Sequence, residues 1–239
     1  MGGYSQLGLV RTAMRRKTEE TFPELLDAVR EAIELLIDAT EVLVNSGARG
    51  EHRSPEGASR SAVWRFLSTL PSSATWCLEA SVSGDSYIAK ALLRLCLEEA
   101  VKLAYYGEQP AAALRQVMSG KTADETEIDE MIRALAPARE KEYMRLWGHL
   151  SNLYVHANLN LPPELIYEAE SGEPQIGGGP RFDPQLFQPI AEQLLAFIVT
   201  ALFAAARRFP ELSGDSKWAE KVHNLVDQSE RLAPTGNAG

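Results

Sequence analysis

The segment Ser86 to Tyr106 constrains this chain more than any other. Ile88, Leu92, Leu93, Leu95, Cys96, Leu97, Val101 and Leu103 leave almost no side of a helical wheel free of apolar residues. A helix that is hydrophobic nearly all round belongs at the centre of a bundle, wrapped by other helices. The rest of the chain supplies the wrapping. Thr21-Phe-Pro-Glu24 is a capping-box pattern with proline in the first turn. After it, Leu25, Val29, Leu36 and Val44 recur at helical spacing to about Asn45. Residues 47–59 are polar and contain glycine, and read as an exposed loop. Val63, Phe66, Leu67 and Leu70 mark the next helix, which Pro71 either kinks or splits, and Ser83-Gly-Asp85 breaks and caps. Two short helices are expected near Ala111 to Met118 and Glu125 to Leu135. Pro137 opens another that closes by Pro162-Pro163, Asp183-Pro184 caps an apolar helix to about Phe209, and an amphipathic helix runs from about Asp215 to Leu232.

The expectation is therefore an all-α fold: a single helical domain over residues 1–239 with five or six main helices and extra short ones. A short hairpin or flap is expected near residues 164–184, an N-terminal arm over 1–17 and a disordered tail over 233–239. A chain of 239 residues, 45% hydrophobic, can bury most of its apolar surface without disulfides or metals. The net charge of −9 argues against a general nucleic-acid-coating role, because counterion release needs clustered Lys and Arg. It leaves RNA contact at one local site open. Cys77 and Cys96 both lie in apolar runs and read as buried thiols of a reducing compartment. The N-terminus lacks the apolar core of a signal peptide, and the run Leu194 to Ala206 falls short of the roughly 20 residues that cross a bilayer. A cytoplasmic protein without membrane contact is expected.

Candidate chemistry gathers between Arg139 and Asn160. As one helix, this stretch puts Glu142, Arg145, His149, Asn152 and His156 on one face, and Tyr143, Trp147, Leu150 and Tyr154 on roughly the opposite one. Arg145 can hold an anion, His149 and His156 can move protons near neutral pH, and Asn152 can orient a substrate group. The alternative is a polar helix face on which Glu142 and Arg145 simply pair. Arg94 and Glu98 are four apart on the most apolar helix, so they can face each other; a pair buried there must be mutually satisfied or serve a site. If they meet the stripe helix, the two features make one polar pocket.

Other motifs carry less. A di-metal helical site needs two Glu-x-x-His units, and the chain has one, Glu220-Lys-Val-His223. His149 and His156 stand about two turns apart, roughly 10 Å, too far for one ion without further ligands. No metal and no cofactor are expected. Gly177-Gly-Gly-Pro lacks the Lys-Ser or Lys-Thr of a phosphate loop and reads as a turn. Arg11, Arg15, Arg16 and Lys17 form a basic stretch open to RNA, a partner or an anionic surface, or simply to solvent.

Leu92-Leu-Arg-Leu-Cys-Leu-Glu98-Glu taken with Leu150-Ser-Asn-Leu-Tyr-Val-His156-Ala resembles a group of all-helical bacterial proteins with an Arg-x-x-x-Glu helix and a later Ser-x-x-x-Val-His segment. That group is in turn distantly similar to the HEPN superfamily of helical bundles, which includes RNases of toxin–antitoxin and phage-defence systems. Their motif is an arginine, four to six residues and a histidine, and they commonly dimerise to form one RNA-cutting site. Asn152 and His156 match the motif's second and last positions, whereas Ser151 stands where the family has arginine. The resemblance implies a homodimer in a defence or stress system, RNA-binding or RNase-related, with a degenerate motif. His156 would be the acid–base group, Arg94 the phosphate contact, and Glu98 and Asn152 would complete the pocket, with Arg145 and His149 available to substrate. The alternative is a non-enzymatic interaction or regulatory module that offers the stripe and the flap to a partner protein. A small-molecule or metal-dependent enzyme is a third option.

Overall fold

In the computed structural model, α4 (Ser86–Glu108) packs against α3 (Pro55–Val82), α5 (Pro110–Ser119), α6 (Glu125–Leu135), α7 (Glu140–Tyr154) and α8 (Pro184–Arg208). Residues 3–46, 53–119, 125–154, 166–168, 174–176 and 180–232 are described. The fold is all-α, apart from a short antiparallel ribbon in which β1 (Ile166–Glu168) pairs with β2 (Pro174–Ile176). Ten helices are present among the described residues, where five or six main ones were expected.

The largest departure is α1 (Gly3–Thr21), a helix where an arm was expected. Polar and charged residues dominate it, so no apolar periodicity marks it in the sequence. Polar contacts dock it instead. Arg11 pairs with Asp85 at 2.9 Å, Arg15 pairs with Glu79, and the buried Thr18 hydroxyl lies 3.4 Å from the Val82 carbonyl. Pro23 separates α1 from α2 (Pro23–Asn45), since it lacks the N–H that would continue the helix. The capping box expected at Thr21 does not form. Thr21 donates to the Lys17 carbonyl at 2.7 Å, closing α1, and no side chain caps α2.

α3 starts earlier than expected and runs straight through Pro71. Ser54 caps it by accepting from the Gly57 N–H at 3.1 Å. Residues 55–59, read as loop, therefore form its first turns. Ser59 is fully buried there and donates to the Tyr106 carbonyl at 2.6 Å. Pro71 cannot donate to the Leu67 carbonyl, and Thr40 Oγ1 of α2 lies 3.5 Å from that oxygen. The sharp turn into α4 rests on Gly84, with φ 81°. The Asp85 N–H donates to Ala80 and the Gly84 N–H to Ser81, a Schellman motif. A Cβ on Gly84 would sit 2.6 Å from the Arg181 carbonyl oxygen. Asp85, expected as the cap of α4, makes no cap hydrogen bond and holds Arg11 instead.

The core joins Leu26, Leu35, Leu36 and Leu43 of α2 to Leu67 and Leu70 of α3, Leu93, Leu97 and Leu103 of α4, and Phe209. Each such side chain contributes about 1.5–3 kcal/mol by leaving water. α9 (Pro210–Ser213) turns the chain into α10 (Ser216–Leu232), where Trp218 Nε1 donates to the Leu35 carbonyl at 3.2 Å. Cys77 and Cys96 are free and buried, with Cys77 Sγ 3.2 Å from the Ala89 carbonyl. The contact with Cys77, together with burial, pushes the Cys96 thiol well above its ordinary pKa. α8 is longer than its apolar run. At 25 residues and a mean hydropathy of 1.8, it is long and apolar enough to cross a membrane, and half of its most apolar window is buried in this fold.

α4 is not wrapped on every side. Ile88 is 48% and Leu95 40% exposed on its open face. Glu99 of α4 stands near the Thr69 and Ser73 hydroxyls of α3. Helical spacing carries that contact one turn on, setting Trp76 of α3 alongside Leu92 and Leu95. Trp76 is 67% exposed.

Candidate functional site

Arg94 and Glu98 pair along α4 at 2.8 Å, each with a side chain only 13% exposed. The i,i+4 spacing brings them together, and α7 covers them. Trp147 of α7 donates its Nε1–H to Glu98 Oε1 at 3.3 Å, and the Arg94 guanidinium lies 5.6 Å from the Trp147 ring centroid. Lys102, a turn further along α4, stands 3.9 Å from the other Glu98 oxygen. Glu98 is thus held by two hydrogen-bond donors and a nearby ammonium, the arrangement that makes a part-buried carboxylate tolerable.

α4 meets the stripe helix, but on the helix's other side. Among the described side chains of α7, Trp147, Leu150 and Ser151 are the buried ones, whereas Glu142, Arg145 and His149 are exposed. Arg94 and Glu98 therefore meet the packed side of α7, and the exposed Arg145 and His149 lie on its other side. Glu142 pairs with Arg139 rather than Arg145, at 2.6 and 2.9 Å, and this hydrogen bonding lowers its pKa. The Asn152 side chain and the whole of His156 lie outside the described residues. Ser151, at the position of the family arginine, is 3% exposed. A guanidinium there would have to enter the packed side of α7.

Glu99 was missed from the sequence. Burial raises its pKa, partly offset by the nearby Thr69 and Ser73 hydroxyls, and its Oε2 is buried without a hydrogen-bond partner. The sequence sets Trp147 opposite the polar stripe but does not tie it to the Arg94–Glu98 pair. The available signal was an indole N–H, a donor that needs an acceptor when buried, facing an apolar helix with few acceptors.

The basic stretch is occupied internally. Besides the partners of Arg11 and Arg15, Arg16 pairs with Glu20 at 2.8 Å, and Lys17 lies 4.5 Å from the Phe182 ring centroid. His223 of the Glu-x-x-His unit faces Asp227 at 3.8 Å on the surface. Among the described residues, no three metal-ligating side chains converge. The chain matches no family model, no curated protein and no solved structure.

Proposed function

We propose that the ten helices form a HEPN-like bundle that works as a non-enzymatic interaction module, and that it dimerises through the open face of α3 and α4. The observation that carries this reading is Trp76, 67% exposed on α3, with Ile88 and Leu95 48% and 40% exposed on α4, the helix α3 packs against. Large apolar side chains gathered on one face mark an interaction surface, and tryptophan is the residue type most enriched at interface centres. The face also runs along a helix that is apolar nearly all round, which is expected to be covered on all sides. The exposed stripe of Glu142, Arg145 and His149, on the far side of α7, faces outward toward a second, polar partner of a defence or stress system.

Two observations favour this over an RNA-cutting role. Six arginines are engaged with carboxylates: Arg11, Arg15, Arg16, Arg30, Arg60 and Arg94 all pair within the chain. Arg94, the phosphate contact in the RNase reading, lies beneath Trp147. The test joins two measurements on purified protein. Light scattering should give a dimer for the native chain and a monomer for Leu95→Glu, and single-stranded RNA should stay intact and unbound. RNA cleavage or binding that disappears in His156→Ala would overturn the reading in favour of the RNase one.

A further inference from the structure

A cavity of about 180 Å³ opens between α4, α6, α7 and α8, away from both the Arg94–Glu98 pair and the Trp76 face. Its walls are apolar. Ala100 and Ala104 of α4 are too small to fill the space left by Ile132 of α6 and Phe197 of α8, and Ala136 stands at the end of α6. A cavity of similar size with aliphatic and aromatic walls takes a benzene-sized molecule.

Three polar side chains reach the lining: Glu108, Thr200 and Tyr143. The Thr200 hydroxyl donates to the Ala196 carbonyl at 2.8 Å, which leaves its oxygen as an acceptor. An ionised Glu108 also only accepts, and Tyr143 can do either. Among the described residues, Glu108 is the only charged one in the lining. It is also the last residue of α4, at the negative end of that helix's dipole. Its contact with Arg207 at 3.2 Å joins two exposed side chains, so it is weak and open to competition. The apolar walls thus select a ring or short alkyl group, and the mouth selects a hydrogen-bond donor with positive charge.

We propose that this cavity is a binding site for a small primary amine with an apolar tail about the size of a benzene ring, its ammonium held by Glu108 and Thr200. The proposal is independent of the dimer reading.

The test titrates benzylamine into the full chain, followed by NMR of the alanine and threonine methyls and by calorimetry. Saturable shifts at Ala100, Ala104 and Thr200 are expected. Benzoate, the same ring with the opposite charge, should bind at least about tenfold more weakly. Ala136→Leu, at the half-exposed rim where folding is least at risk, should weaken benzylamine by about tenfold through loss of space. Glu108→Gln should weaken benzylamine by about fivefold or more and leave toluene unchanged. The proposal is overturned if benzylamine gives no saturable shifts at those methyls, if Ala136→Leu leaves its affinity unchanged, or if benzoate binds as tightly. The wild-type shifts decide even if a variant fails to fold.

Discussion

Trp147 of α7 and Trp76 of α3 sit on two helices that pack against α4, and they have opposite fates. Trp147 is 9% exposed, donates to Glu98 and lies under Arg94, so both its ring and its N–H are satisfied within the chain. Trp76 is 67% exposed. α4 offers the charged Arg94, Glu98 and Lys102 to the first and the apolar Ile88 and Leu95 to the second. They differ also in cover: among the described residues, α7 lies over the charged side, and the apolar side stays exposed. A buried flank converts its polar residues into structural parts. An open flank leaves apolar area available to a partner.

The sharpest way to break this comparison is to remove the covered tryptophan. Trp147→Ala should cost about 3–5 kcal/mol, the range for truncating a buried aromatic, with a matching fall in the urea midpoint. A loss under about 1 kcal/mol would mean that α7 is not anchored there. Glu98→Ala should cost about 3 kcal/mol, because it leaves Arg94 part-buried without its carboxylate. Replacing Arg94 and Glu98 together by leucine should recover most of that loss, and recovery is the outcome that identifies the pair as structural rather than catalytic.

Glu99 lies on the boundary between the two flanks. Burial raises its pKa, so the folded chain holds this proton more tightly than the unfolded chain does. Ionised Glu99 therefore costs stability at neutral pH. That cost shrinks as pH falls through the folded-state pKa and is gone below the ordinary glutamate value. Glu99→Gln should stabilise the protein on the order of 1 kcal/mol at pH 7, with the gain vanishing in acid. A gain independent of pH would show that charge is not its cause. The smallest effect on stability is expected at the open flank: Trp76→Ala should change the unfolding free energy of the monomer by about 0.5 kcal/mol or less.

Much of the architecture was legible because apolar residues recur at helical spacing. α2, α8 and α10 follow that pattern, and Gly84 and Pro210 punctuate it. α1 was not legible, because Arg11, Arg15 and Thr18 dock it through side-chain partners far along the chain. The start of α3 was hidden by Gly57 and Ser59, polar-loop residues by type that are buried by packing. The candidate site was half legible. The Arg94–Glu98 spacing foretold their pairing, but the sequence could not say which side of α7 would face them. A stripe and its opposite face are equally regular in sequence, and only the larger apolar area of Trp147 and Leu150 decides which one turns inward.

The central claim, that the Trp76 flank is covered by a second copy, is tested most directly by acrylamide quenching of tryptophan fluorescence across a dilution series. Trp147 and Trp218 are buried and Trp64 is partly so, which makes Trp76 the dominant quenchable indole of the four. Quenching should rise and emission shift to the red as the protein is diluted from micromolar to low nanomolar, and Trp76→Phe should abolish the change. Emission that reports a fully exposed indole at every concentration would contradict the account.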